Sequence, residues 1–250
     1  MALSGSISCR GRVEGSPPPP PVATTAADSA PKPVSSDSVA SSCIEHPAAP
    51  PPGIDGIDTT VHKDVRFGST FLCRIHPALP IFRFDIQGDP SRNVILGARV
   101  HRGESAPVFQ QLESGAEEAP YRGANYFQVV DLNADGYGDV LLMKWWGGSG
   151  NVGNDVWLFD PPTGRFVTDS ELSDLANIGG PVPGRPCVRQ FQTGFYGESE
   201  VCLEEGHWVE VHSVSEQPDS SGRLRIREER ERRNGQLILV RTDTVVDSAQ

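Results

Sequence analysis

From Thr59 onward the chain alternates short apolar, β-branched and aromatic runs with Gly, Pro, Asn, Asp and Ser, at a spacing of about a dozen residues. The pattern predicts strands over Val65 to Arg74, Ile81 to Ile86, Asn93 to His101, Val108 to Leu112, Tyr126 to Val130, Val140 to Trp146 and Val156 to Phe159. It continues with Arg165 to Val167, Cys187 to Thr193, Glu200 to Glu204, Trp208 to Val214, Leu224 to Glu231 and Leu237 to Thr244. Asn234-Gly235 between the last two is the strongest hairpin signal, a two-residue turn that takes positive φ. Arg227 to Arg233 alternates no apolar residues and reads as an exposed strand edge, where long charged side chains discourage pairing with other chains. Only Asp169 to Asn177 reads as helix: Asp169 or Ser170 can cap it, and Leu172 and Leu175 share one face. The predicted fold is all-β and antiparallel, with barrel, sandwich and propeller as the architectures open to it.

The first 53 residues depart from this pattern. Eleven of the 22 prolines lie there, and no Phe, Trp or Tyr does. Such a stretch cannot bury enough apolar surface to offset the entropy of ordering it, so residues 1–53 are expected to form a disordered tether and 54–250 the folded domain. The polyproline run Pro17 to Pro21 makes the tether extended and semi-rigid. With 33 acidic against 22 basic residues, the net charge of −11 argues against binding nucleic acid through phosphate neutralisation. In Arg227 to Arg233 the interleaved Glu228, Glu229 and Glu231 cancel much of the local field. No apolar run reaches the roughly 20 residues that a membrane-spanning helix needs.

Cys9, Cys43, Cys73, Cys187 and Cys202 contain no C-x-x-C pair, which argues against a structural zinc site. Cys187 and Cys202 flank a stretch that reads as a hairpin, so a bridge between its strands is expected, with Cys43 and Cys73 as the second pair. Such bridges imply an oxidising compartment, whereas five free thiols would imply the cytosol. Cys9, followed by the tether, resembles the acylated cysteine of bacterial lipoproteins, although Ser6-Ile7-Ser8 is not a typical sequence before that cysteine.

The most specific motif is Asp131-Leu132-Asn133-Ala134-Asp135-Gly136-Tyr137-Gly138-Asp139. Calcium takes six to eight oxygens, and a tightly wrapped loop converges those of positions 1, 3 and 5. Gly136 permits the sharp turn, Tyr137 offers its backbone carbonyl, and Asp139 closes the shell directly or through water. An EF-hand would require Glu at position 12, which is Leu142 here. The loop therefore joins two strands, as in the calcium loops of integrin-type propeller repeats, and the ion's expected role is to staple the fold. A plain Asx-rich turn is the other reading.

No catalytic constellation is visible. Gly147-Gly148-Ser149-Gly150-Asn151 misses the nucleophile elbow by one residue and lacks its strand-to-helix context. The six histidines show no metal-ligand spacing. A non-enzymatic protein is expected.

Phe127 to Ala176 resembles a bacterial family of periplasmic, calcium-binding, β-propeller-like proteins. The resemblance is carried by the Asp131 to Asp139 loop, Gly147-Gly148-Ser149-Gly150-Asn151, Trp157-Leu158-Phe159-Asp160, Thr163-Gly164-Arg165-Phe166 and Glu171-Leu172. Members of that family resemble lysozyme inhibitors and act as immunity proteins against peptidoglycan hydrolases injected by contact-dependent secretion. The resemblance implies a calcium-stapled periplasmic protein, with Cys9 of this chain as the candidate lipid anchor, that occludes the cleft of a lysozyme-like partner. Ser149, Gly150 and Asn151, beside Trp145 and Trp146, are the candidate contact residues. Related inhibitors use an S-G-x-x-Y loop, whose Tyr position is Gly153 here. The alternatives are a hairpin turn flanked by core tryptophans and, for the whole chain, a calcium-dependent structural or adhesive module.

Overall fold

A computed structural model describes residues 43–46, 68–89, 92, 94–116, 126–193, 196–221 and 224–246, all within the unit Ser36–Gln250. Cys9 and the predicted tether other than 43–46 lie outside the described residues. Three antiparallel sheets follow one another along the chain, each with its strands in sequence order. The first contains β1 (Cys43–His46), β2 (Thr70–Cys73), β3 (Phe82–Asp89), β4 (Val94–Arg102) and β5 (Val108–Glu113). The second contains β6 (Phe127–Val130), β7 (Asp139–Trp146), β8 (Val152–Asp160) and β9 (Arg165–Thr168). The third contains β10 (Ile178–Pro181), β11 (Cys187–Gln192), β12 (Gly197–Glu204), β13 (His207–Pro218), β14 (Leu224–Arg233) and β15 (Gln236–Val246). One helical turn, α1 (Ser170–Ser173), leads from the second sheet to the third.

The all-β, antiparallel expectation holds, and the described strands close neither a barrel nor a propeller ring. The sheets instead stack as layers, with the second in the middle. Its strand β7 buries both faces: Val140 and Leu142 join a core with Phe71, Phe82 and Phe84 of the first sheet, and Leu141 joins one with Val188 and Val201 of the third. Successive strand residues point to opposite faces, so a strand covered on both sides reads as a continuous apolar run rather than an alternating one. The first core is dominated by rings in contact, among them Phe71–Phe127 at 4.6 Å and Phe84–Phe127 at 5.2 Å between centroids. Each buried ring contributes on the order of 1.5–3 kcal/mol.

Three expectations need correction. Cys43–His46 is a strand paired with β2, so folded structure starts inside the segment assigned to the tether. Its sequence carries no strand signal because Ile44, Glu45 and His46 stay exposed and only Cys43 turns toward the core. The charged run of β14 is not an edge, since β14 lies between β13 and the true edge strand β15. Its arginines pair with acids along or across the strands, Arg233 with Glu231 at 2.9 Å and Arg227 with Glu216 at 3.9 Å. The helix is one turn rather than nine residues, because Asn177 adopts φ 55° and Ala176 bridges to Gly153.

Candidate metal loop and adjoining hairpin

Residues 131–138 connect β6 to β7 as the sequence predicts, wrapped tightly through Ala134 at φ 58° and Gly136 at φ 89°. Asp131 uses both carboxylate oxygens on the loop's own backbone, accepting from Asp135 N at 3.2 Å and Gly136 N at 2.9 Å. Asn133 Oδ1 accepts from Asp135 N at 3.2 Å, and its Nδ2 donates to Asp135 Oδ2 at 3.0 Å. Asp135 Oδ1 accepts from Tyr137 N at 2.9 Å. These three side chains thus share one turn. The Tyr137 ring stacks between His76, at 4.3 Å, and Phe159, at 5.3 Å.

Asp139 behaves differently. It is fully buried, with Oδ2 accepting from Leu132 N at 2.8 Å and Oδ1 from Phe159 N at 2.9 Å. It therefore locks the start of the loop onto β8. Two backbone donors favour its carboxylate, but desolvation outweighs them, and together with the charges of Asp135 and Asp131 pushes its pKa up to about 8. Burial and the neighbouring Asp135 also raise the pKa of Asp131, against the pull of the Gly136 and Asp135 N–H groups. The donor set consists entirely of oxygens, three of them carboxylate groups crowded near one another, which fits the chemistry of a hard divalent cation. Among the described residues, however, no three His, Cys, Asp or Glu side chains converge as a ready-made ion cage.

The hairpin between β7 and β8 lies at one end of the same sheet. Gly148 and Ser149 are exposed at its tip, while Trp145 and Trp146 are half-buried at its base. Trp145 lies across the backbone of Gly153, where any side chain would overlap its indole. The tip is closed by Gly147 N donating to Asn151 O at 2.7 Å and Gly150 N to Gly147 O at 2.9 Å. Asn151 faces inward: its Oδ1 accepts from Asn177 Nδ2 at 2.6 Å and from the Thr193 hydroxyl. Asn177 in turn accepts from Val152 N at 2.6 Å and donates to Phe191 O at 2.8 Å. The amide–amide knot fastens the hairpin to the third sheet. Asn177 falls at the end of the predicted helix, which hides this role; its one local signal is that Asn tolerates the left-handed conformation better than most residues.

Both expected disulfides join residues directly opposite in register. Cys43 and Cys73 have Cα atoms 4.2 Å apart across β1 and β2, and Cys187 and Cys202 are 3.9 Å apart across β11 and β12. A polar cluster on the first sheet carries no sequence motif. Buried His101 contacts Asp85 Oδ2 at 2.9 Å and Ala106 O at 2.8 Å, while Thr70 Oγ1 donates to Asp85 Oδ1 at 2.8 Å. The hydroxyl serves the carboxylate and not the imidazole, so the cluster cross-links strands without activating a nucleophile.

No protein-family model matches the chain, and neither does any curated protein. A solved structure described as that of a Xanthomonas type IV secretion system related protein aligns with a TM-score of 0.46 and 16% identity, over 65% of this chain and 91% of that one. At that distance it fixes neither family nor role. None of the helices among the described residues is long and apolar enough to cross a membrane.

Proposed function

We propose that this chain is a non-enzymatic envelope protein of the periplasm that inhibits a lysozyme-like peptidoglycan hydrolase by seating its 147–151 hairpin in the enzyme's cleft. The observation that carries this reading is the bracing of that hairpin. An exposed Gly-Ser tip held by the Asn151–Asn177 knot loses little conformational freedom on binding, which is how a small loop gains affinity. Trp145 and Trp146 at its base supply apolar anchoring area. The net charge of −11 steers the protein toward the basic cleft of an enzyme that binds an anionic polymer. The two disulfides suit an oxidising compartment, and Cys9 would place a lipid at the start of the tether.

In this reading Asp131, Asn133, Asp135 and the Tyr137 carbonyl hold calcium, with Asp139 anchoring the loop from inside. The ion stabilises the folded state by its mass-action binding and performs no chemistry. A turbidity assay of cell-wall lysis tests the proposal, with the full chain and calcium added to a panel of lysozyme-type and other peptidoglycan hydrolases. Stoichiometric loss of lysis is expected, and Ser149→Arg should relieve it; lysis by every lysozyme-type enzyme at full rate counts against the proposal.

A second reading, a structural or adhesive binding module, has its own observation. Edge strand β15 exposes Leu237 by 37%, Ile238 by 43% and Leu239 by 49%, an apolar stretch of an edge to which another chain can add a strand.

A further inference from the structure

Beside the Asn177 knot, a cavity of about 240 Å³ opens among residues of the second and third sheets. None of the described residues that line it is charged. One of them, Asn154, is polar and only 5% exposed, lines the cavity, and has a side-chain amide with no hydrogen bond among the described residues. The amide opens into the cavity, and its N–H₂ and C=O side by side prescribe a partner with an adjacent acceptor and donor. Around it stand Met143, Val152 and Ile178, apolar walls suited to a methyl group. At the rim Phe191 is 39% exposed. Its ring lies against Gly179, where any side chain would collide with it, and its backbone is tied to Asn177 in both directions, Phe191 N donating to Asn177 O at 3.1 Å and Asn177 Nδ2 to Phe191 O at 2.8 Å.

We infer that this cavity binds the acetamido group of an N-acetylhexosamine, with the amide paired to Asn154, the methyl against the apolar walls and the C–H face of the sugar ring on Phe191. The absence of charge in the lining disfavours phosphorylated or carboxylated ligands, and the modest volume suits a single sugar substituent rather than a larger molecule. A fixed aromatic face and a waiting amide are preorganised, so little ordering opposes binding. The inference does not depend on the proposed inhibition: its ligand is a sugar substituent rather than an enzyme, and its two test positions, Asn154 and Phe191, lie outside the 147–151 hairpin, although Trp146 at the hairpin's base also lines the cavity.

The test is a titration of the full chain with N-acetylglucosamine and its trimer, followed by NMR at the Asn154 side-chain amide and by calorimetry. Saturable shifts are expected, with glucose binding at least roughly tenfold more weakly because it lacks the amide. Asn154→Leu should lose binding by roughly tenfold or more while melting at the same temperature or higher, since it replaces an unpaired amide with an apolar group of similar size. Phe191→Ala, at the rim, should weaken the sugar without requiring any change in the core. No saturable shift, an equal response to glucose, or undiminished binding by Asn154→Leu would overturn the assignment. Equal affinity for free N-acetyllysine would overturn the sugar as its ligand.

Discussion

The Trp208 indole N–H donates to Asp169 Oδ2 at 2.8 Å, while the other oxygen of that carboxylate accepts from Leu172 N at 2.8 Å. One side chain thus caps α1 and pins the second sheet's exit to β13, where Trp208 packs against the core that contains Leu172 and Val201. Asp169→Ala removes a cap worth about 0.5–2 kcal/mol and orphans an indole donor at about 1–3 kcal/mol, so a loss on the order of 2–4 kcal/mol is expected. Asp169→Asn keeps the cap but turns an N–H₂ toward the indole, and should lose about half as much. Urea unfolding of the two variants measures the difference.

Next to this contact, Glu171 accepts from Trp208 N at 2.6 Å and meets His207 Nδ1 at 2.8 Å. The hydrogen bond from His207, then that from Trp208 N, lowers the Glu171 pKa, and the bond to Glu171 raises that of His207. A lowered acid stabilises the fold above its unfolded pKa and loses this effect as pH falls; a raised histidine stabilises it below its unfolded pKa and loses it as pH rises. The pair therefore contributes between the two, in mildly acidic solution. Both groups are exposed, so the effect on stability is small and salt-sensitive. NMR titration should find His207 above the usual histidine range and returned toward it in Glu171→Gln.

Asp139 gives the opposite sign. Its pKa is raised, so the native state binds a proton that the unfolded chain releases, and in metal-free solution stability should fall as pH climbs from about 4 toward 8. A cation on the loop opposes this by favouring the carboxylates. The increase in melting temperature on adding calcium should accordingly be larger at pH 8 than at pH 5. Equal calcium shifts at both pH values would detach Asp139 from the proposed calcium site.

The disulfides should differ in reach. By the chain-entropy estimate, the Cys187–Cys202 bridge, with a sequence separation of 15, and the Cys43–Cys73 bridge, with 30, are worth about 3 and 3.6 kcal/mol. The first sits between two strands of the third sheet, so replacing both of its cysteines by serine should lower the global melting temperature. The second holds a strand that buries little besides Cys43. Replacing Cys43 and Cys73 by serine should speed amide exchange in β1 far more than in β3.

What the sequence showed was local. The apolar run of β7, the Asn234-Gly235 turn, with φ of 52° and 80°, and the cap at Asp169 each depend on neighbours in the chain. Asn154 and Asp155 hid the first half of β8 because its polar residues face a cavity and the salt partner Lys144, 3.5 Å from Asp155. Strand β10 was missed because Gly179-Gly180-Pro181 has turn composition, and it is the Phe191 ring lying on Gly179 that suits glycine to the place. The layering of three sheets and the Asn151–Asn177 knot link residues far apart in sequence, which no periodicity records. In the 131–139 loop the spacing marked a tight turn shared by Asp131, Asn133 and Asp135, but not that Asp139 turns inward.

That knot gives a way to separate contact from support in the hairpin. Asn151 is engaged by Asn177, Thr193 and Ser149, whereas Ser149 stands exposed at the tip. Asn151→Ala leaves the Asn177 N–H and the Thr193 hydroxyl without their shared acceptor, and should lower stability by about 1–3 kcal/mol while loosening the tip. Ser149→Arg changes an exposed position and should leave stability within about 0.5 kcal/mol of the parent. If the hairpin enters a hydrolase cleft, both variants weaken inhibition for different reasons: Ser149→Arg by collision, chiefly through faster dissociation, and Asn151→Ala by the entropy of reordering a freed loop. Calorimetry tells them apart, since the freed loop adds an unfavourable entropy of binding. If Asn151→Ala melts earlier yet inhibits as well as the parent, the knot is structural only and the contact surface lies elsewhere.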